Sequence, residues 1–413
     1  MQRLRFKTDD GSSFPDWKEK KLGNCTEFVK DGTHGTHKNV SNGHPLLSAK
    51  DIFDNVVHIP NDSRLISNDD YNKIFSKYNL QIGDVLITIV GTIGRTALVT
   101  DGCKHVAFQR SVGIIRPNKN IIDSEYLKIV CDVPHFQNEL EVKKNKGAQA
   151  GVYLGVLSNI EIPVPSLPEQ QKIAEFLSTI DTVIEKQKET VSAWEERKKG
   201  VMQKLFSQEV RFKADDGSEF SEWEEKKIGD VFSKVKDKNK DGQNQNVITN
   251  SAEFGLINQR DFFDKDIAID GKTENYTVIK TGDFVYNPRK SKQAPYGPFN
   301  CYQLEEDGIV SPLYTCLRPK GNTDDEYLHW YFQSGSWYRF IYENGAQNGA
   351  RHDRVGMTDS LMQEIPVYLP QAVEEQQKIV DCLSALDEVI EKQKTTLAAW
   401  EEMKKGLLQQ MFV

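Results

Sequence analysis

The sequence predicts a mixed α/β (α+β) molecule: two globular domains joined to two long, antiparallel coiled-coil helices in a pseudo-two-fold repeat. Three observations carry that prediction. A 40-residue amphipathic stretch, 167–206, returns as 373–412 with about 24 of 40 positions identical. A second block, 5–23, returns as 211–229 at the same offset (375 − 169 = 206 and 211 − 5 = 206). The segments between the blocks, roughly 24–166 and 230–372, have similar length but mostly different sequence. A long-period repeat is weighed first because it dictates architecture.

Composition sets the outer bounds. A chain of 413 residues, 38% hydrophobic and 28% charged, can bury two or three cores. No apolar run approaches the roughly 20 residues of a membrane span, and MQRLRFKTDDGSS lacks an apolar signal core, so the expectation is a cytoplasmic protein with no membrane partner. Six cysteines without a CxxC pair suggest scattered thiols, neither a disulfide frame nor a zinc site. The formal net charge of −8 argues against binding nucleic acid by bulk charge alone, because phosphate neutralisation dominates such affinity.

From the N-terminus, the block Arg5 to Gly23 carries a turn at Asp9-Asp10-Gly11 and a tryptophan, Trp17, matched by Trp223. The first insert then shows short β-rich runs, Asp84–Val90 and Val112–Ile115, and a glycine turn, 91–94. The long stretch follows. Alternating steps of four and three place Ile173, Leu177, Ile180, Ile184, Gln187, Val191 and Trp194 on one seam, and a seam of that period requires another helix to cover it. Ser166-Leu-Pro-Glu169 predicts a capping box at its start. In the second insert, Asp283–Tyr286 is another β-rich run, and paired landmarks recur in order: Gly83-Asp84 with Gly282-Asp283, Glu125-Tyr-Leu127 with Glu326-Tyr-Leu328. Gly147-Ala-Gln149 and Gly345-Ala-Gln347 form a third pair. The second seam repeats the first as Ile379, Leu383, Leu386, Ile390, Gln393, Leu397 and Trp400. Gln187 and Gln393, equivalent polar seam positions, would specify register.

The repeat is cyclic. The last helix ends at Phe412, where its own copy of the Arg5 block would begin, so that end belongs in space beside the N-terminus and the two helices run antiparallel. Two ordinary amphipathic helices, each on its own domain, remain the plainer alternative. They leave unexplained why the copies also match at the exposed 185–188 and 391–394.

The run Ile162-Pro-Val-Pro-Ser-Leu-Pro-Glu-Gln-Gln-Lys-Ile173 opening a long helix, duplicated, with two variable inserts, resembles the specificity subunits of type I restriction-modification systems over essentially the whole chain. The second copy departs at Gln371-Ala-Val before Glu374. The resemblance implies target-recognition domain 1 at 1–166, a spacer helix at 167–206, target-recognition domain 2 at 207–372 and a second spacer at 373–413. Each domain would read one half of an asymmetric, bipartite double-stranded DNA site, with the helices setting the gap. The implied partners are two methylation subunits and the restriction subunits. S-adenosylmethionine, ATP and Mg²⁺ would belong to those partners, and this chain would bind no cofactor.

Base edges are read by polar side chains while phosphates position the protein, which directs attention to the insert loops. In the first insert the candidates are Thr33, His34, Thr36, His37 and Lys38 in a glycine-rich loop, with Arg95, Gln109, Arg110, Lys144, Lys146 and Gln149. His34 and His37 have a metal-like spacing but no evident third ligand. In the second insert the candidates are Arg289, Lys290, Lys292 and Gln293, then Gln347 and Arg351. Each could equally be a solvated surface residue. Catalytic patterns are missing from the sequence: Asn287-Pro288 precedes Arg289, unlike the adenine-methyltransferase motif, and no Walker A or glycine-rich cofactor loop accompanies it. Two rival classes stay open at this point, a self-contained duplicated α/β enzyme and a coiled-coil adaptor that binds only proteins.

Overall fold

The computed structural model describes residues 3–145, 150–262, 273–321, 323–345 and 353–412. They group into two compact units, residues 1–188 with 395–413, and residues 189–394. Each unit therefore takes part of both long helices, Leu167–Phe206 and Val373–Phe412.

In the first unit the named elements are β1 (Lys18–Lys21), β2 (Thr26–Asp31), α1 (Asn68–Tyr78), β3 (Val85–Thr88), β4 (Thr96–Leu98), β5 (Val112–Pro117), α2 (Ser124–Asp132), α3 (Pro134–Lys143) and β6 (Glu161–Val164). A four-stranded sheet runs β2-β5-β3-β4, every pair antiparallel. Its central strands β3 and β5 are buried on both faces, which is why Val, Leu, Ile and Gly dominate them, with Arg116 the one charged residue. One face packs on α2, α3 and the long helices, the other on α1. Arg116 crosses the sheet to Asp84 with two bonds of 2.9 and 2.7 Å, so the Gly-Asp landmark is a buried ion pair.

The second unit repeats the plan with β7 (Glu224–Lys227), β8 (Phe232–Lys234), β9 (Phe284–Tyr286), β10 (Phe299–Cys301), β11 (Thr315–Pro319), α4 (Asp325–Ser334), α5 (Tyr338–Asn344) and β12 (Pro366–Leu369). Its sheet runs β8-β11-β9-β10, again antiparallel. Arg318 meets Asp283 twice at 2.7 Å, the counterpart of Arg116 and Asp84. In each unit a small antiparallel pair, β1 with β6 and β7 with β12, leads into the long helix.

The two long helices lie side by side and antiparallel within each unit. In the first, Lys404 meets Asp181 at 2.5 Å. In the second, Lys198 meets Asp387, and Lys394 meets Glu195 at 3.1 Å. Ile173, Leu177, Ile180, Ile184, Val191, Ile379, Leu383 and Ile390 are buried, as the seam requires. Leu386, Leu397 and both tryptophans of the seam, Trp194 and Trp400, are half-buried, as are Gln187 and Gln393.

The capping box expected at the first helix start does not form. The Ser166 hydroxyl has no hydrogen-bond partner, and Glu169 turns away to receive Arg5 at 3.1 and 2.9 Å. Arg211 grips Glu375 in the same way at 3.0 and 2.9 Å. The neighbouring Gln170 accepts from the Asp123 amide and donates to Pro165, tying helix to domain. The paired acids of the N-terminal block are structural too: Asp9 holds Lys172 and Asp215 holds Lys378.

Closure of the repeat is visible in the first unit. The Leu4 amide donates to the Gln410 carbonyl at 2.9 Å, and Trp17 packs on Phe412. The second unit has the same bond, Val210 to Lys204 at 3.2 Å, inside a continuous chain. No helix of the described residues is long and apolar enough to cross a membrane.

Candidate nucleic-acid interface

Antiparallel pairing brings the ends of β2 and β3 and the starts of β4 and β5 to one end of the first sheet. Loops far apart in sequence therefore meet there. The Thr33 amide donates to Phe108 at 2.7 Å and the Arg110 amide to Thr33 at 3.0 Å, which stitches the histidine loop to Gln109 and Arg110. The chain can pass so close only at glycine: a Cβ on Gly32 would collide with the Phe108 carbonyl. The turn 91–94 follows β3, and its Gly91 and Gly94 take φ of +81° and +92°. Beyond it the Arg95 guanidinium donates to the Ile52 carbonyl at 3.3 Å. The loop after α3 joins the same end, because Val152 donates to Ile89 at 2.8 Å and Gly91 to Ala150 at 3.3 Å. Lys144 is paired with Glu141. Lys146 and Gln149 lie outside the described residues.

Within the histidine loop Thr33, His34 and His37 are each engaged. Thr33 Oγ1 accepts from the Gly35 amide at 3.1 Å and lies 2.8 Å from His37 Nε2. The other ring nitrogen, Nδ1, lies 3.3 Å from Asp70 on α1. His34 instead meets Asp31 at 2.6 Å. The two imidazoles thus turn to different carboxylates, and no group of three metal-ligating side chains occurs among the described residues. Thr36 and Lys38 are exposed.

Two recesses of about 520 Å³ each open at this end and share Asp31, His34 and Leu154. Lys30, Lys73 and Lys77 line one, while Arg110, Asn145 and Tyr153 line the other. Tyr153 is 68% exposed, an apolar ring held at a polar rim.

The second unit assembles the same end from different residues. Val355 donates to Pro288 and Lys290 to Asp353, both at 2.8 Å, with Arg289 bridged to Arg354. Residues 288–290 thus pair with 353–355 as 89–91 pair with 150–152. The Arg289 side chain is 71% exposed, its Nε 4.0 Å from Asp353. Lys292 and Gln293 are exposed at the loop tip, and Lys290 is half-buried. Beside them Tyr314 has its phenol pushed up by burial, while nearby Arg289 and Arg354 pull it back. Gln347 and Arg351 lie outside the described residues.

The sequence points to these loops but not to Lys73, Lys77 and Tyr153, which line the recesses, nor to Tyr314, which lies near Arg289 and Arg354. The lysines sit on a helix, where a four-residue spacing looks like any solvated face. The tyrosines are single aromatics whose neighbours come from other strands.

Comparison with known proteins fits this duplicated plan. The family described as "Type I restriction modification DNA specificity domain" matches residues 15–192 and again 220–399. A putative type I restriction enzyme MjaX specificity subunit from Methanocaldococcus jannaschii is 25% identical, with 97% of this chain and 94% of that protein covered. The EcoBI specificity subunit of Escherichia coli is 30% identical across 38% of this chain and 33% of its own length. Among solved structures, the type I S subunit from M. genitalium aligns with TM-score 0.53 at 14% identity, covering 100% of this chain and 99% of that one. A chain solved in work on complex assembly and conformational transition of the type I R-M system gives TM-score 0.56 at 18% identity, covering 96% and 98%. These two likenesses concern the fold. With the family matched twice over most of its length, the chain belongs to the type I restriction-modification DNA specificity family, as a non-catalytic specificity subunit whose role is DNA recognition.

Proposed function

We propose that each unit reads one half of an asymmetric, bipartite DNA site with the loop-bearing end of its four-stranded sheet. The observation that carries this reading is the shared address. Two inserts with mostly different sequences place their polar and basic loops, Thr33–Lys38 with Gln109–Arg110 and Arg289–Gln293, at the same end of the same sheet. A common scaffold with divergent loops is what two readers of different half-sites need, since base edges are distinguished by donor and acceptor pattern. The paired long helices are the spacer in this reading. At 1.5 Å per residue each 40-residue helix extends about 60 Å, ample for half-sites about one DNA turn, ~34 Å, apart.

In the same reading two methylation subunits, and then restriction subunits, assemble on this chain. They bring S-adenosylmethionine, ATP and Mg²⁺, while this chain contributes sequence recognition. The net charge of −8 supports that division: the partners close around the duplex and supply much of the phosphate attraction.

The test is genome-wide mapping of N6-methyladenine after co-expression with methylation subunits of the same system. A split motif with a fixed gap is expected. A stable complex that leaves no methylation would favour the protein-only adaptor.

A further inference from the structure

The first recess contains a feature that base reading does not use. Lys73 and Lys77 stand one helical turn apart on α1, and both face a groove that Lys30 enters from the end of β2. Like charges four residues apart weaken a helix. Placement near the helix C-terminus compensates Lys77 through the helix dipole but leaves Lys73 without that benefit. Neither lysine makes an ion pair among the described residues, although other lysines of the first unit, Lys104, Lys128 and Lys144, all do. The two carboxylates that line the same groove are already engaged, Asp31 by His34 and Asp70 by His37. Lys30 rests its ammonium on the Lys77 carbonyl at 2.6 Å, which anchors it at the groove and leaves its remaining hydrogens to donate.

We infer that Lys30, Lys73 and Lys77 form a phosphate clamp. In it the three ammonium groups hold backbone phosphates of the duplex beside the half-site that the first unit reads. The inference rests on the DNA-reading role proposed above and adds a division of labour within one domain. The Thr33–His37 loop and Arg110 face the bases, whereas α1, braced by the Asp70–His37–Thr33 chain of contacts, grips the strand. Phosphate contacts position a protein without carrying sequence information, so the clamp and the readers have separable signatures.

The experiment uses the full chain in complex with its methylation subunits, bound to a duplex carrying the mapped site. Affinity is measured against salt concentration for Lys73→Gln, for Lys73→Gln with Lys77→Gln, and for Lys119→Gln, an exposed lysine just past the other end of β5. The slope of log affinity against log salt should shrink by about 1 for the single variant and about 2 for the double. Lys119→Gln should leave it unchanged. The weakening should be equal on cognate duplex and on duplexes altered in either half, and the methylated motif should stay the same. An unchanged slope in the double variant overturns the clamp, as does a first half-site whose sequence preference changes, which would make these lysines base readers. Thermal unfolding of each variant shows whether a lost slope is only a lost fold; Lys73→Gln, at an exposed site, serves as the mild case. If the wild-type complex itself does not bind the duplex, the DNA-reading role fails first, and the clamp with it.

Discussion

Glu169 and Glu375 show how a single side chain can be conspicuous in sequence and still be misread. Both stand just inside a long helix, and local pattern assigns the first of them to a capping box. In the structure each is fully buried and receives a guanidinium from 164 residues upstream. No local rule can find a partner that distant; the equal offsets of Arg5 and Arg211 are the only trace of it in the sequence. Breaking such a pair strands a buried charge. Arg5→Ala should therefore lower the stability of the first unit by about 3 kcal/mol, toward the low end because Arg5 keeps some solvent, measured as a shift in the urea unfolding midpoint. His329 offers a pH test in the other unit. Burial, then nearby Lys198, holds its pKa down at about 4 from an ordinary 6.5. The folded state keeps the ring neutral, while the unfolded chain takes up a proton below about 6.5, so stability falls as pH drops from there toward 4. Between pH 7 and pH 5 the loss should reach about 2 kcal/mol, and His329→Phe should abolish that part of the pH dependence.

At the scale of elements, the long helices were the most legible part of the chain and the loops the least. A seam repeated over 40 residues overdetermines a helix, and the match between copies on the outer faces finds its reason in ion pairs such as Lys394 with Glu195. The loops at the sheet ends carry no such redundancy. Their placement comes from strand pairing between distant segments, and the groove-facing lysines of α1 gave no signal before the helix was docked. The loop geometry makes its own prediction. Gly32 has no room for a side chain, and Gly297 combines φ of +89° with a carbonyl where its Cβ would stand. Gly32→Ala should relax or abolish recognition of one half-site and leave the other intact, whereas Gly297→Ala should do the reverse, read from the methylation motif. If the helices are the spacer, one heptad added to each should alter the gap between halves without touching either half-sequence.

For the molecule as a whole, the repeat told more than any motif. It announced two domains of one design, matched by two sheets of like strand order, and the antiparallel helices and the return of the last helix to the first block, seen in the Asp181–Lys404 and Leu4–Gln410 contacts. Exchanging 230–372 for the corresponding segment of another family member should change one half-site only. The same closure bears on how the protein is made. The second unit is one continuous segment, 189–394, so its core is built from residues made in a single stretch. The core of the first unit is not. Leu397, Trp400, Leu407 and Met411 belong to its core and leave the ribosome more than two hundred residues after Ile184, a buried member of the same cluster. Until they arrive, the apolar flank of the nascent first helix stays open, and that interval is when a chaperone, or a methylation subunit already at hand, would have the most to gain by binding.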